Sequence, residues 1–422
     1  MPVLLGCIAD DFTGATDLAS FLVASGMRTV QLMGLPTGPV DLSEADAVVV
    51  AMKTRTQATQ EAVSDSLKVL EWLKQYQCEQ YYFKYCSTFD STSEGNIGPV
   101  TDALLDSLNS KFTIACPSLP VNGRSVYNGY LFVNGVLLNE SGMQHHPLTP
   151  MTDANLVRVL ESQTKHPVGL VNFDTLSQGV DATRDAFYEL QQQGKRYAIM
   201  DTLDYDNLVT IGHASRDLAL LTGGSGLAIG LADNFEAKGL LTKSTDSGEL
   251  SKVSGDTIVL SGSCSVATRE QVAIYSENHG SIKIDPIKVS QGEQTASDII
   301  DWFKSNRAQG PLLIYATDSP EAIKKVQAEL GVEKAGLLVE ALMADIVAKL
   351  AILGVTKFIV AGGETSGSVV QALNVSALKI GKSIAPGVPM TQTLDENPKL
   401  LALKSGNFGD KNFFQKAVEM MS

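Results

Sequence analysis

The apolar positions of this chain follow two rhythms in turn. Short, almost wholly apolar runs recur at residues 3–9, 30–33, 47–51, 81–84, 112–116, 168–173 and 197–201. They are of the kind found in strands buried on both faces of a parallel sheet. Between them the spacing becomes helical. Leu18, Phe21 and Leu22 share one face over 16–25, with Gly26 at its end, and Ala62, Leu67, Leu70 and Leu73 share another over 57–76. Further helices are expected over 98–108 and 206–221, followed by a glycine-rich turn at 222–226. Strands alternating with helices predict an α/β fold with a mostly parallel sheet. The ligand pocket of such a sheet lies beyond the carboxyl ends of its strands.

One segment breaks the alternation. The runs 130–133 and 136–138 flank Asn134-Gly135, a dipeptide suited to the positive backbone angles of a type I′ turn. A β-hairpin inserted into the α/β pattern is expected there. Residues 238–255 are rich in Lys, Ser, Thr, Asp and Gly and read as a linker, after which the pattern restarts with strands at 257–260, 312–315 and 357–360. The longest helical pattern of this second half covers 335–353. The expectation is two α/β domains, 1–237 and 256–422.

Composition narrows the function classes. An apolar fraction of 44% against 19% charged is enough to bury a sizeable core and excludes a disordered chain. No apolar run approaches the length of a membrane span, and no basic region precedes an apolar core at the N-terminus, so neither a span nor a signal peptide is expected. Cys7, Cys78, Cys86, Cys116 and Cys264 are scattered and read as small buried apolar residues of a reducing, cytoplasmic compartment. The net charge of -14 argues against a nucleic-acid partner. The excess is uneven, with 26 acidic against 14 basic side chains over residues 1–235 and 21 against 19 beyond. An anionic ligand therefore needs locally placed cations or helix N-termini.

Polar residues collect where the predicted strands end. Asp10-Asp11-Phe12-Thr13-Gly14 follows the first strand. Neighbouring strand residues point to opposite faces, so one of the two acids can enter a common pocket while the other organises the turn or caps the helix. Asp17 reads as a first-turn helix residue. Lys84 ends a strand and leads into Tyr85-Cys86-Ser87-Thr88-Phe89-Asp90-Ser91-Thr92; Arg124 follows Gly123 before the hairpin and offers a fork suited to a carboxylate. In the second half, Ser261-Gly262-Ser263-Cys264-Ser265 and Gly362-Gly363-Glu364-Thr365-Ser366-Gly367 each follow a strand, and Lys404-Ser405-Gly406-Asn407-Phe408-Gly409 lies near the C-terminus. Small residues and free amides at such junctions suit phosphates. Each segment also has a plain reading as an ordinary cap, turn or polar loop. His145-His146 lacks partners at metal-ligand spacing. There is no Walker A loop, no GxGxxG after the first strand and no HRD or DFG set. Residue types alone lead to a two-domain α/β enzyme for small anionic ligands.

In this order, Ala9–Ala15, Lys84–Thr92, Gly123-Arg124, Ser261–Ser265, Gly362–Gly367 and Lys404–Gly409 resemble the motifs of the four-carbon acid sugar kinases, and the resemblance spans essentially the whole chain. It implies an N-terminal domain that binds the sugar acid, a C-terminal domain that binds ATP, and an active site in the cleft between them. By the same resemblance Asp10, Asp11, Arg55, Lys84, Asp90 and Arg124 face the acid, with Asp11 or Asp10 as catalytic base, and Ser261, Ser263, Gly362, Gly363, Glu364, Thr365 and Gly406 face the nucleotide. The expected reaction is ATP-dependent phosphorylation of the C4 hydroxyl, with Mg2+ on the phosphates. Threonate and erythronate kinases of the family tend to carry Lys-Thr-Asp-Ser-Thr in the second motif, and the longer segment after Lys84 favours a 3-oxo-tetronate instead. The expected partners are the acid and ATP, with a homodimer plausible and no membrane. Rival readings are threonate or erythronate phosphorylation, an NAD-dependent dehydrogenase, and a sugar-acid-binding protein without catalysis.

Overall fold

The computed structural model describes residues 3–36, 38, 40–89, 92–145 and 149–422. The chain divides into two compact units, Met1–Gly248 and Glu249–Ser422. Among the described residues no helix is long and apolar enough to cross a membrane.

The first unit is built on β1 (Leu5–Ala9), β2 (Thr29–Met33), β3 (Ala47–Ala51), β4 (Gln80–Lys84), β5 (Thr113–Cys116), β6 (Arg124–Tyr127), β7 (Tyr130–Val133), β8 (Val136–Leu137), β9 (Val168–Val171), β10 (Tyr197–Met200) and β11 (Leu220–Gly223). Its main sheet has the order β2-β3-β1-β4-β11-β5-β10-β9, with every pair parallel. Strands such as β1 and β3 are buried along their whole length, which is why they read as unbroken apolar runs. The chain leaves β1 toward β2 and β3 on one side and returns to β4 on the other. The strand order thus reverses between β1 and β4, and a crevice opens beyond their carboxyl ends.

Two details depart from the sequence reading. The helix after β1 spans Phe12–Ala24 and starts earlier than its apolar spacing suggests, because extended Asp11 (φ -148°, ψ 160°) caps it. The segment read as the end of a helix at 206–221 is a helix over Tyr205–Ala214 followed by β11. β11 is a four-residue strand, too short to show a period of its own, yet it lies at the centre of the sheet.

The expected hairpin is β7–β8, turned through Asn134 (φ 52°) and Gly135 (φ 80°). A second turn of the same kind, Asn128-Gly129 (φ 50° and 77°), joins β6 to β7. The insertion is therefore a three-stranded antiparallel sheet. The same Asn-Gly signal was present for β6.

The second unit carries β12 (Asp256–Ser261), β13 (Ser281–Lys283), β14 (Leu312–Tyr315), β15 (Val355–Ala361), β16 (Ala377–Ala385), β17 (Val388–Thr393) and β18 (Leu400–Lys404). Their order is β13-β14-β12-β15-β18-β17-β16. The first five run parallel, while β17 is antiparallel to both β16 and β18. The hydrophobic pattern marked β12, β14 and β15 and missed the others. β16 and β17 pair with register shifts, and Gly381 interrupts β16 where a Cβ would meet Leu250 and Met390 at 2.7–2.8 Å. A regular two-residue period is lost there. Val259, Leu313, Ile359, Phe413 and Phe414 form one core layer. The helix Val332–Ile352 buries Met343, Ile346, Val347 and Leu350.

Candidate functional site

In the first unit the polar residues converge on the crevice between β1 and β4. Asp10 is 5% exposed, and Arg55 grips it with both arms of its fork, Nε to Oδ2 at 2.9 Å and Nη2 to Oδ1 at 2.8 Å. Arg55 sits after β3, held by its own amide and that of Thr54, which both donate to the Asp10 carbonyl. Burial pushes the Asp10 carboxyl above its ordinary value, and Arg55 offsets part of that rise. Burial acts against the Arg55 charge, but the two carboxylates outweigh it and hold the guanidinium protonated.

Asp11 is arranged differently. Its Oδ1 accepts from the Gly14 amide at 3.0 Å and from Arg55 Nη2 at 2.7 Å. Its Oδ2 has no partner among the described residues, and its side chain is 30% exposed. Lys84 reaches the same place from β4. Ala9 and Lys84 are register partners, and Asp10 N donates to Lys84 O at 3.0 Å. The Lys84 Nζ is buried and donates to Tyr85 O at 2.6 Å. A Cβ on Gly14 would lie 2.3 Å from Asp11 Oδ1 and 2.7 Å from Lys84 Nζ, so only glycine lets these two side chains approach the helix start.

Asp17, one turn further along, accepts a hydrogen bond from Ser225 after β11. Burial raises its carboxyl while Ser225 and Lys84 lower it. The sequence reading had assigned Asp17 to the helix alone; the residue that draws it into the cluster is far away in the chain.

Arg124 begins β6 and belongs to a different group of contacts. It donates to Asn122 O, pairs in register with Val133, and its buried Nε has no hydrogen-bond partner. No described contact ties it to Asp10, Asp11, Arg55 or Lys84. Asp90 lies outside the described residues, as does His146.

In the second unit three strand ends meet. Gly262 and Ser263 follow β12, Gly362 follows β15, and Gly406 follows β18. Gly362 (φ 128°) opens the helix Gly363–Ala372 without any side-chain cap, so the first amides of that helix are unclaimed. A Cβ on Gly363 would meet nothing within 4 Å, whereas one on Gly362 would lie 3.2 Å from Ser263 N and 3.0 Å from Thr365 Oγ1. Gly406 is packed against Ser263 and Ser265, its absent Cβ falling 2.4 Å from Ser263 Oγ. Gly406 O accepts from Ser265 Oγ at 2.6 Å and Thr268 Oγ1 at 2.7 Å. The fully buried Ser261 hydroxyl bonds Thr317 at 2.6 Å, and Thr317 in turn donates to Ser263 O at 2.8 Å. Ser261 thus faces inward and fixes the loop, while Ser263, Gly362, Gly363, Thr365 and Gly406 come together.

A cavity of about 250 Å3 adjoins this junction, lined by Gly262, Glu364 and Thr365 on one side and by apolar Pro286, Ile323, Val326 and Val339 on the other, with Asp318 and Glu340 among its polar groups. No sequence signal pointed to Pro286, Asp318, Ile323, Val326, Val339 or Glu340, which come from separate segments of the chain. No group of three or more His, Cys, Asp or Glu suited to a metal occurs among the described residues.

An uncapped helix N-terminus between glycine loops in one unit suits a phosphate, and paired acids with a strand-end lysine in the other suit a small anionic acceptor and a proton transfer. The chain matches the model of a sugar-binding N-terminal domain over residues 5–231 and that of a nucleotide-binding C-terminal domain over residues 258–414. It belongs to the four-carbon acid sugar kinase family. Its curated relatives include the 3-oxo-tetronate kinase of Cupriavidus necator, 55% identical over 99% of this chain and 97% of the relative. That of Pseudomonas fluorescens is 54% identical over the same shares. Among solved structures, one from Salmonella typhimurium LT2, provisionally described as a tRNA synthase, superposes with a TM-score of 0.91 at 48% identity and covers 98% of both chains. One from Haemophilus influenzae gives 0.87 at 46% identity, covering 99% of this chain and 100% of the other.

Proposed function

We propose that this chain transfers the γ-phosphoryl group of ATP to the C4 hydroxyl of a 3-oxo-tetronate, giving the 4-phosphate and ADP. Relatives at 52–55% identity over nearly their whole length carry the name 3-oxo-tetronate kinase. The observation that carries the chemistry is the asymmetry of Asp11, with one oxygen fixed by Gly14 and Arg55 and the other open. Asp11 Oδ2 accepts the C4 hydroxyl proton as the phosphoryl group arrives. A carboxylate base suffices, because phosphoryl transfer depends mainly on positioning and electrostatic stabilisation. Asp10 has both oxygens on Arg55 and serves as a positioning residue: it holds Arg55, and Arg55 holds Asp11. Lys84, buried and without an ion-pair partner among the described residues, receives the acid's carboxylate.

The amides at the start of the helix Gly363–Ala372 receive the phosphates, with Ser263 and Gly406 beside them. Ser261 acts through Thr317 by fixing that loop. The adjoining cavity takes the base and ribose against its apolar wall. Glu364 is exposed at the phosphate end of the cavity. A carboxylate there would repel phosphate on its own, and Glu364 is the residue that would help hold a Mg2+ ion brought with the nucleotide. When bound, that ion neutralises charge on the β- and γ-phosphates.

The test is ADP release measured by a coupled assay over a panel of 3-oxo-tetronates, threonate and erythronate. Release with a 3-oxo-tetronate alone supports the proposal. Equal turnover of threonate or erythronate moves the substrate to the sister activity, and binding of the acid without ADP release removes the kinase reading.

A further inference from the structure

The two units use one device twice. In the first, β4 lies beside β1, its last residue Lys84 opposite Ala9, and the amide after Ala9 donates to Lys84 O at 3.0 Å. In the second, β18 lies beside β15, its last residue Lys404 opposite Ala361, and the amide after Ala361 donates to Lys404 O at 2.9 Å. Each lysine donates to the carbonyl of the next residue, Lys84 to Tyr85 O at 2.6 Å and Lys404 to Ser405 O at 3.2 Å. The mechanism above uses Lys84 and leaves Lys404 without a task.

Lys404 is 1% exposed. Its Nζ donates to Gly406 O at 2.9 Å and Thr268 Oγ1 at 3.0 Å, and the Phe413 ring lies 5.7 Å away. No carboxylate lies within ion-pair distance among the described residues. The titratable side chains on the elements packed around it are Lys357 of β15, Glu364 of the helix Gly363–Ala372, Arg269, Glu270 and Tyr275 of the helix Val266–Ser276, and Lys416 and Glu419 of the helix Phe413–Met421; none is paired with Nζ. A buried cation satisfied only by neutral oxygens is costly. This one sits under the loop whose glycine meets Ser263, beside an uncapped helix start. A polyphosphate on those amides supplies the missing anion.

We propose that Lys404 is the charge-compensating residue of the nucleotide site, holding the Gly406 loop in place and attracting the nucleotide's phosphates from beneath it. The inference rests on the assignment of the second unit as the ATP site. Burial lowers the free lysine to about 8, and an arriving anion raises it again. The bound state then holds more protons than the free state, so affinity is full below about pH 8 and falls as pH rises above it.

Calorimetric titration of the full chain with Mg-ADP from about pH 7.5 to about pH 9.5, where ADP is fully ionised, tests this. The wild type is expected to take up a proton near pH 8, seen as a dependence of the heat on buffer ionisation enthalpy. It should lose affinity by up to about tenfold per pH unit above that point. Lys404→Arg should bind with no slope over this range, and Lys404→Met should bind about tenfold or more weakly and also without slope. A wild type that binds ADP with no proton uptake, or a Lys404→Met variant with the wild-type slope, overturns the role of Lys404 while leaving the ATP site standing. A wild type that binds no ADP overturns both. If Lys404→Met fails to fold, the wild-type proton uptake and the Lys404→Arg profile decide.

Discussion

Asp11→Asn separates the two tasks this residue performs. Asparagine keeps an oxygen at the Oδ1 position, so the Gly14 amide at 3.0 Å and Arg55 Nη2 at 2.7 Å both retain an acceptor. Asparagine caps helices about as well as aspartate. The loss to the fold is confined to the charge in the Arg55 bond, about 1 kcal/mol or less, since Arg55 keeps its fork on Asp10. The proton acceptor, by contrast, is gone. General-base contributions are typically about 100- to 10,000-fold, so turnover should fall by that range while the ATP KM stays near wild type. Asp11→Ala should lose as much activity and also the cap, a further cost of about 1 kcal/mol. The assay is steady-state ADP release with a 3-oxo-tetronate, run beside thermal melts of all three proteins. An Asp11→Asn enzyme with near wild-type turnover refutes the base assignment. A variant whose ATP KM rises as steeply as its turnover falls shows that Asp11 acts on the nucleotide instead.

Other outcomes follow from the same geometry. Gly363→Val adds a side chain where nothing lies within 4 Å, so the melting point should hold near wild type while ATP affinity drops about tenfold or more as the phosphates lose their space; unchanged affinity removes the helix start from the phosphate site. Gly14→Ala places a Cβ 2.7 Å from Lys84 Nζ and 2.3 Å from Asp11 Oδ1, and should raise the KM for the acid and lower turnover together, with ADP binding to the second unit intact by calorimetry. Glu364→Gln should raise the Mg2+ concentration needed for half-maximal activity; an unaltered Mg2+ titration would take Glu364 out of the ion's surroundings. Ser265→Ala removes both the cap on Thr268 N and a bond to Gly406 O, and should lower stability by about 1 kcal/mol in thermal melts and weaken ADP binding.

The sequence made the strand-end positions visible because both faces of a parallel sheet are buried, so a polar residue directly after an apolar run stands out. Asp10, Asp11, Lys84, Gly362 and Gly363 were all found in this way. What it could not display is how a side chain is spent. Asp10 and Asp11 are adjacent and chemically identical, and only Arg55, arriving 45 residues later, separates them into a clamped acid and an open one. Ser261 reads as a phosphate contact but points inward at Thr317, 56 residues away. β11 and β13 were missed because they are too short for a period, and β16 because register shifts against β17 and an internal glycine break its own. The cavity beside Thr365 is assembled from five separate segments of chain, and no local pattern encodes such a surface.

The two Asn-Gly turns of the inserted sheet also set a chemical clock. An asparagine side chain followed by glycine is open to attack by the glycine amide nitrogen. The resulting ring expels ammonia and is reopened by water to aspartate or isoaspartate, and asparagine is among the thermolabile residues for this reason. The two turns are not equally exposed to that reaction. The Gly129 amide is held by Asp201 Oδ1 at 2.8 Å, and the Asn128 amide by the same carboxylate at 2.7 Å, so the attacking nitrogen is tied down. Gly135 carries no such restraint among the described residues. Ageing should therefore begin at Asn134, whose own amide donates to Gly123 O at 2.7 Å next to Arg124. Stored protein should gain acidic species on ion exchange, with isoaspartate mapping to residue 134 before 128, and damage appearing first at 128 would show that Asp201 gives no protection. The working life of a preparation is then written in a surface turn of the inserted sheet.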